Sequence, residues 1–79
     1  MHIVYIIESE KDPAHWYVGL TNDLKRRLTE HNEGESIHTN KLRPWRIKNY
    51  FAFRDREKAE KFEKYLKSHS GRAFTKKYF

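Results

Sequence analysis

The sequence predicts an α+β domain in which a three-stranded antiparallel sheet is flanked by helices, in the order ββαβαα. Two β-branched and aromatic runs are separated by a turn signal at Pro13, and a third run follows Pro44. Segments with helical spacing follow the second and third runs. At 79 residues the chain has room for one domain only, residues 1–79.

The predicted strands cover residues 2–8, 15–20 and 45–53. The first two are joined by a short turn and are expected to form a hairpin. The third begins after Pro44, because proline cannot donate to a strand ladder. If the hairpin register is even, Tyr5 and Tyr17 lie on the same sheet face. Both tyrosines also fit an ordinary role as core aromatics with satisfied hydroxyls.

The predicted helices cover residues 22–33, 56–68 and 72–78. Oxygens of the segment 21–23 can cap the first helix, and Gly34 is suited to end it. Asp55 is placed to cap the second helix. His69, Ser70 and Gly71 are expected to break the chain before the final helix, and residues 37–43 are expected to form an ordered loop.

The net charge of +6 and the pI near 9.7 indicate a polyanionic partner, most simply nucleic acid, although a basic charge can also serve solubility. The absence of cysteine excludes disulfides and thiolate zinc sites, and it fits a reducing cytoplasm, the expected location. The apolar run at the N-terminus is too short to cross a membrane, so no membrane partner is expected.

The first helix carries a candidate site. At about 100° per residue, Leu24, Leu28 and His31 share one face with Arg27 between them, whereas Arg26 points to solvent. An isolated arginine in such a place often packs its stem on leucine while its head reaches water. Because His31 lies one turn from Arg27 on the same face, the pair indicates a functional site.

The second helix carries a carboxylate on its apolar stripe. Ala59, Phe62 and Leu66 form the stripe, and Glu63 falls inside it. A carboxylate in that position is costly unless it meets a cation or a metal ion. A structural ion pair with Arg27 would satisfy it, and so would Mg²⁺, which one carboxylate can hold together with waters and phosphate oxygens.

These residues together resemble the GIY-YIG endonuclease family. The resemblance rests on Ile3-Val4-Tyr5, on Tyr17-Val18-Gly19, on residues 22–24 and 27–31, and on a later block around Glu63. It covers nearly the whole chain and is strongest for the small stand-alone bacterial members. It implies a three-stranded antiparallel sheet with helices and a phosphodiesterase that uses a single metal ion.

The resemblance also implies roles for individual residues. Tyr17 corresponds to the general base or water-positioning residue, and Tyr5 to its helper. Arg27 would stabilise charge on the phosphate, His31 would assist proton transfer, and Glu63 would hold Mg²⁺ or Mn²⁺. Hydrolysis of a phosphodiester needs an activated water, a counter-charge and help for the leaving oxygen, which this set can supply.

The chain departs from the family pattern at three points. Ile3 replaces the first glycine of the family name, and Leu20 stands where repair-type members often have lysine. The late asparagine of some members has no clear counterpart after Glu63.

Three further residues are candidates for contacts to nucleic acid. Gly19 lacks a side chain and would let a phosphate backbone approach, and Lys25 belongs to the basic first helix. Arg43 lies in a segment that offers either a phosphate contact or only a structural loop.

The sequence therefore predicts a metal-dependent endonuclease, with DNA as the expected substrate and five side chains gathered on one sheet face. One alternative is a nucleic-acid-binding module of the same fold without turnover. Another is a structural domain held by an Arg27–Glu63 ion pair. The oligomeric state stays open, and a dimer is compatible with so small an enzyme.

Overall fold

The computed structural model describes all 79 residues, and it confirms the α+β class and the ββαβαα order. The strands and helices are β1 (His2–Ser9), β2 (Trp16–Thr21), α1 (Leu24–Asn32), β3 (Trp45–Phe53), α2 (Arg56–Lys67) and α3 (His69–Tyr78). A single 3-10 turn, Asn40–Leu42, lies inside the predicted loop. The predicted limits of β3 agree with the observed ones, and no other limit differs by more than three residues.

The sheet has the order β2-β1-β3, and both strand pairs are antiparallel. Tyr5 lies opposite Gly19, and Ile7 lies opposite Tyr17. Opposed residues share a sheet face, so this register places both tyrosines on the same face, as predicted. The central position of β1 explains why four consecutive residues, from Val4 to Ile7, are all buried.

The helices cover both faces of the sheet. On one face, Tyr5, Ile7 and Trp45 pack with Leu24 and Leu28 of α1. The other face packs against α2 and α3, through a cluster that contains Val4, Ile6, Val18, Ala59 and Leu66. A fully apolar central strand requires cover on both sides, because apolar surface left in water costs about 25 cal/mol per Å². None of the three helices is long and apolar enough to span a bilayer.

The predicted break before the last helix is wrong. The interruption falls at Ser68, and α3 already begins at His69. Ser68 caps α3 through a hydrogen bond that its Oγ accepts from the Gly71 backbone N–H. Gly71 lies inside the first turn, where a Cβ would overlap the Tyr65 carbonyl and the Leu66 backbone. The glycine therefore permits close contact between α2 and α3 and does not end a helix.

The segment between α1 and β3 is held against α1. Asn32 binds both backbone groups of Trp45: its Nδ2 donates to the carbonyl at 3.0 Å and its Oδ1 accepts from the N–H. The buried Trp45 indole in turn donates from Nε1 to the Thr39 carbonyl at 2.8 Å. These bonds fix Thr39 beside the C-terminal half of α1.

Candidate active site

Helix α1 directs Arg27 and His31 toward the sheet. The Asp23 side chain caps the helix by accepting a hydrogen bond from the Arg26 N–H, and Gly34, with φ of 80°, follows its C-cap. His31 is fully buried and the Arg27 side chain is 31% exposed, whereas the Arg26 side chain is 62% exposed. The different environments predicted for the two adjacent arginines are confirmed.

Four side chains form a continuous hydrogen-bonded chain from the surface into the core. The Arg27 Nε donates to the Tyr5 hydroxyl at 3.3 Å, and that hydroxyl lies 2.9 Å from His31 Nε2. On the far side of the ring, His31 Nδ1 lies 2.7 Å from Thr39 Oγ1. Arg27 also donates from Nη1 to Glu30 at 3.1 Å. The partly exposed guanidinium of Arg27 is therefore coupled to the buried imidazole of His31 through the phenol of Tyr5.

The protonation states in this chain follow from burial. Burial, together with the Arg27 charge, lowers the pKa of His31 to about 4, so the ring is neutral at pH 7. A neutral imidazole has one N–H and one lone pair, so one neighbouring hydroxyl donates to the ring and the other accepts from it. Burial also raises the pKa of Tyr5 above 10, with Arg27 acting in the opposite direction. The phenol of Tyr5 is therefore protonated at neutral pH.

Arg27 remains a cation throughout the physiological range. Burial disfavours its charged form, but the hydrogen bonds to Tyr5 and Glu30 outweigh burial and raise the pKa of Arg27. Its Nη2 makes no hydrogen bond within the protein, so this group is free to bind an anion.

The two tyrosines differ in accessibility. Tyr5 is 1% exposed, whereas Tyr17 is partly exposed. The rings of Tyr17 and His31 meet edge to face, with centroids 5.2 Å apart. Of the two phenols, Tyr17 is thus the better placed to meet water or substrate, and Tyr5 is an internal group.

Gly19 makes room for the Tyr5 hydroxyl. A Cβ at position 19 would overlap the end of the Tyr5 phenol, so any other residue would displace the hydroxyl from His31 and Arg27. This internal contact accounts for the glycine. The approach of a phosphate backbone at Gly19 stays a prediction.

Glu63 belongs to the helical layer opposite that of Arg27 and His31. Tyr5, Tyr17, Arg27 and His31 gather on the α1 face, whereas the buried residues of α2, Ala59 and Leu66, pack on the other face. The Glu63 charge nevertheless contributes to raising the pKa of Tyr5, after burial and the Tyr17 charge. The place of its carboxylate beside the other four side chains stays a prediction.

The Arg27–Glu63 ion pair considered from the sequence does not form. Arg27 pairs with Glu30, and the 20%-exposed side chain of Glu63 pairs with Lys67 at 3.0 Å. No group of three or more His, Asp or Glu side chains comes together as a metal cage. A partly open single carboxylate fits Mg²⁺, which keeps several waters and takes phosphate oxygens from substrate, and it does not fit a fully protein-ligated ion.

A basic cleft of about 440 Å³ opens beside Arg27, at the end of β2 and the start of α1. Its charged and polar lining consists of His2, Thr21, Asn22, Arg26, Arg27, Glu30 and Arg56. Three arginines face one glutamate, so the cleft has the electrostatic character of an anion site. We call it the arginine cleft.

The other two candidates for contacts to nucleic acid, Lys25 and Arg43, do not line the arginine cleft. Lys25 is exposed and does not line the arginine cleft. The Arg43 guanidinium lies over Gly34, at the C-terminal end of α1, where a cation interacts favourably with the helix dipole. Phosphate contacts by these two residues stay predictions.

Sequence reasoning missed three residues of the site. The sequence could have identified Glu30, because its spacing of three positions from Arg27 predicts an ion pair on the same helix. No sequence pattern identifies Thr39 or Arg56, since each reaches the site only through the path of the folded chain.

The chain is similar to known proteins in sequence and in fold. The family model described as the GIY-YIG catalytic domain matches residues 1–78. UPF0213 protein BH0048 of Halalkalibacterium halodurans is 38% identical over 72 residues, which is 90% of this chain and 74% of the relative. The solution NMR structure of that protein, described as from Bacillus halodurans, superposes with a TM-score of 0.57 at 33% identity. That match covers 95% of this chain and 79% of the other.

A longer protein contains a related segment. The structure-specific endonuclease subunit SLX1 of Scheffersomyces stipitis is 40% identical over 50 residues, which is 56% of this chain and 15% of that protein. The fold and the match to a catalytic domain define a member of a nuclease family. More specifically, the chain belongs to the GIY-YIG family.

Proposed function

We propose that the protein is a metal-dependent endonuclease that hydrolyses phosphodiester bonds in nucleic acid, with DNA as the preferred substrate. The observation that supports this most strongly is the hydrogen-bonded chain in which the Tyr5 hydroxyl connects Arg27 to His31. A phenol held between a permanent cation and a neutral imidazole has its orientation fixed by polar partners on both sides, and such an arrangement exceeds the needs of a simple core aromatic. The net charge of +6 supports a polyanionic substrate.

In this proposal the substrate phosphate binds at the arginine cleft. The free Nη2 of Arg27 contacts a non-bridging oxygen and stabilises the charge that develops during attack. The partly exposed Tyr17 positions the attacking water or removes its proton. Tyr5 and His31 support Tyr17 from behind, because their hydrogen bond fixes the imidazole ring against which the Tyr17 ring packs.

Glu63 is the residue proposed to hold Mg²⁺ or Mn²⁺. A divalent ion bound there would supply charge stabilisation for the phosphate and the leaving oxygen. The Glu63–Lys67 pair must open for this to occur, and an exposed i,i+4 ion pair costs only about 0.5 kcal/mol to break.

A nucleic-acid-binding module without turnover is the second candidate. The observations that favour it are the lack of a three-ligand metal cage and the neutralisation of Glu63 by Lys67. Such a module would bind nucleic acid in a salt-dependent manner but would not cleave it with any divalent ion.

The decisive experiment measures cleavage of single-stranded, duplex and branched DNA with Mg²⁺ and with Mn²⁺. We expect metal-stimulated cleavage by the wild type, and a loss of at least about 100-fold in Glu63→Gln, Arg27→Ala and Tyr17→Phe. Glu57→Gln is the matched control. This residue of α2 has the same charge as Glu63, but it is exposed, pairs with Lys61 and does not line the arginine cleft. Equal activity in the Glu63 and Glu57 variants would contradict the proposal.

A further inference from the structure

A second cleft, of about 610 Å³, lies at the other end of the β1–β2 hairpin. It is formed between the end of the hairpin and α3, on the sheet face opposite Tyr5 and Tyr17. We call it the hairpin groove. Its charged and aromatic lining consists of Trp16, Lys48, His69, Arg72, Lys76 and Phe79.

The charge of the hairpin groove has a single sign. Three Lys or Arg side chains and one histidine line it, and no acidic residue does. Lys48 is paired with Glu8 at 3.4 Å, but Arg72 and Lys76 make no ion pair. Helix α3 contains no acidic residue at all. Two unpaired cations on an acid-free surface are complementary to a polyanion.

Aromatic rings are interleaved with these cations. The Arg72 guanidinium carbon lies 5.2 Å from the centroid of the Trp16 ring, and the ring of Phe79, 37% exposed, lines the same groove. The guanidinium lies over the indole, and its outer plane together with the Phe79 ring offers a flat surface on which a base can stack. No step proposed above uses Trp16, Arg72, Lys76 or Phe79.

We propose that the hairpin groove binds a single-stranded segment of nucleic acid, with a base stacked on the aromatic surface and phosphates held by Arg72 and Lys76. This inference rests on the proposed function, which supplies the polymer, and it adds the strand type and a second contact point. The groove has the size of pockets that enclose a small ligand, and it therefore has room for a nucleotide. Bases in a duplex are already stacked on one another, so the aromatic lining favours a single strand.

Tryptophan fluorescence tests this without any cleavage. Trp45 is 4% exposed, so Trp16 is the tryptophan that a bound base can quench. We would titrate the full chain, without divalent metal, with an oligothymidylate of about 12 nucleotides. Quenching by the single strand is expected, with much weaker quenching by a duplex of equal length.

The paired variant Arg72→Gln/Lys76→Gln measures the contribution of the groove. We expect it to bind the oligomer at least about tenfold more weakly at about 50 mM salt, and to lower the log–log salt slope by about 1.4, since each phosphate contact contributes about 0.7. The control is Lys58→Gln/Lys64→Gln, which removes the same charge from exposed positions of α2 outside both clefts. Circular dichroism establishes that both double variants are folded.

Several outcomes would overturn the inference. Equal weakening in both double variants would mean that only net charge matters, and equal quenching by duplex would remove the role of the aromatic rings. Light scattering that shows a dimer, dissolved by the Arg72/Lys76 variant alone, would assign the groove to a second copy of the chain. Because the titration needs no hydrolysis, binding in the groove by a chain that never cleaves would support this inference while contradicting the proposed nuclease.

Discussion

His31 shows how one buried residue couples the site to the stability of the domain. Its ring is fully buried, and both nitrogens have hydrogen-bond partners, on Tyr5 and on Thr39. Protonation would place a second cation near Arg27 inside the fold. Burial and the Arg27 charge make the protonated ring unfavourable, and they lower the pKa of His31 to about 4.

The sign of the resulting pH dependence follows from linkage. The unfolded imidazole has a pKa of about 6.5, so between pH 6.5 and pH 4 the unfolded chain binds more protons at this residue than the folded chain. The free energy of unfolding should therefore fall as the pH drops through this window, by on the order of 2 kcal/mol from this residue. Urea unfolding at a series of pH values measures the effect.

His31→Gln tests the assignment of this pH dependence. The variant should be less stable than the wild type at pH 7. Its free energy of unfolding should fall less steeply between pH 6.5 and pH 4, because residue 31 no longer binds a proton. His38→Gln, which removes one exposed imidazole, is the matched control. A wild-type slope in the His31 variant would disprove the assignment. If that variant does not fold, proton NMR of the wild-type imidazole replaces it, and the ring should stay neutral at pH 5.

Individual residues differ in how well the sequence predicts them. The directions of Arg26 and Arg27 follow from helical phase alone, because adjacent positions differ by about 100°. The partners of Arg27 do not, since its bond to Tyr5 depends on strand register and on the space left by Gly19. Thr39 could not be identified, because its place depends on how Asn32 and Trp45 hold a segment without periodicity.

At the level of elements, β1 dominates the architecture. Its continuous buried run requires a helical layer on each side, and this requirement separates α1 from α2. The spacing of apolar residues along the sequence predicts each strand and helix, but it does not predict which face of the sheet a helix covers. The sequence therefore places Glu63 on α2 but does not predict that α2 belongs to the layer opposite α1.

The junction between α2 and α3 offers a test at this scale. Replacing glycine with alanine within a helix normally stabilises it, by about 0.5–1 kcal/mol. At Gly71 the new Cβ would overlap backbone atoms of Tyr65 and Leu66, which cannot move as a flexible side chain could. We expect Gly71→Ala to destabilise the domain by about 1–3 kcal/mol in thermal or urea unfolding.

Ser70→Ala is the control for that junction. It alters the neighbouring residue of the same turn, but Ser70 is exposed, so its effect should stay within about 0.5 kcal/mol. Unchanged or increased stability in Gly71→Ala would show that α3 can move away from α2 at little cost. The contact would then have no part in fixing the hairpin groove, one wall of which is α3.

On the scale of the whole molecule, the two clefts lie at opposite ends of the β1–β2 hairpin. Thr21 lines the arginine cleft and Trp16 lines the hairpin groove, five residues apart on β2. At about 3.4 Å per residue this separation is about 17 Å. The molecule measures 30 × 26 × 18 Å, so a strand bound at both points would extend over about half its length.

This separation predicts a length requirement for the substrate. A stacked strand rises about 3.4 Å per nucleotide, so about five nucleotides span the distance from Thr21, at the arginine cleft, to the base held beside Trp16. Cleavage measured as kcat/KM on duplexes with single-stranded flanks of increasing length should rise until the flank reaches about five nucleotides, and should then level off.

In Arg72→Gln/Lys76→Gln the rise should disappear while cleavage of the shortest substrates is unchanged, because Arg27 and Tyr17 are untouched. The control pair Lys58→Gln/Lys64→Gln should keep the rise. A wild-type rate independent of flank length would mean that one substrate strand does not occupy both clefts, even if each cleft binds nucleic acid by itself.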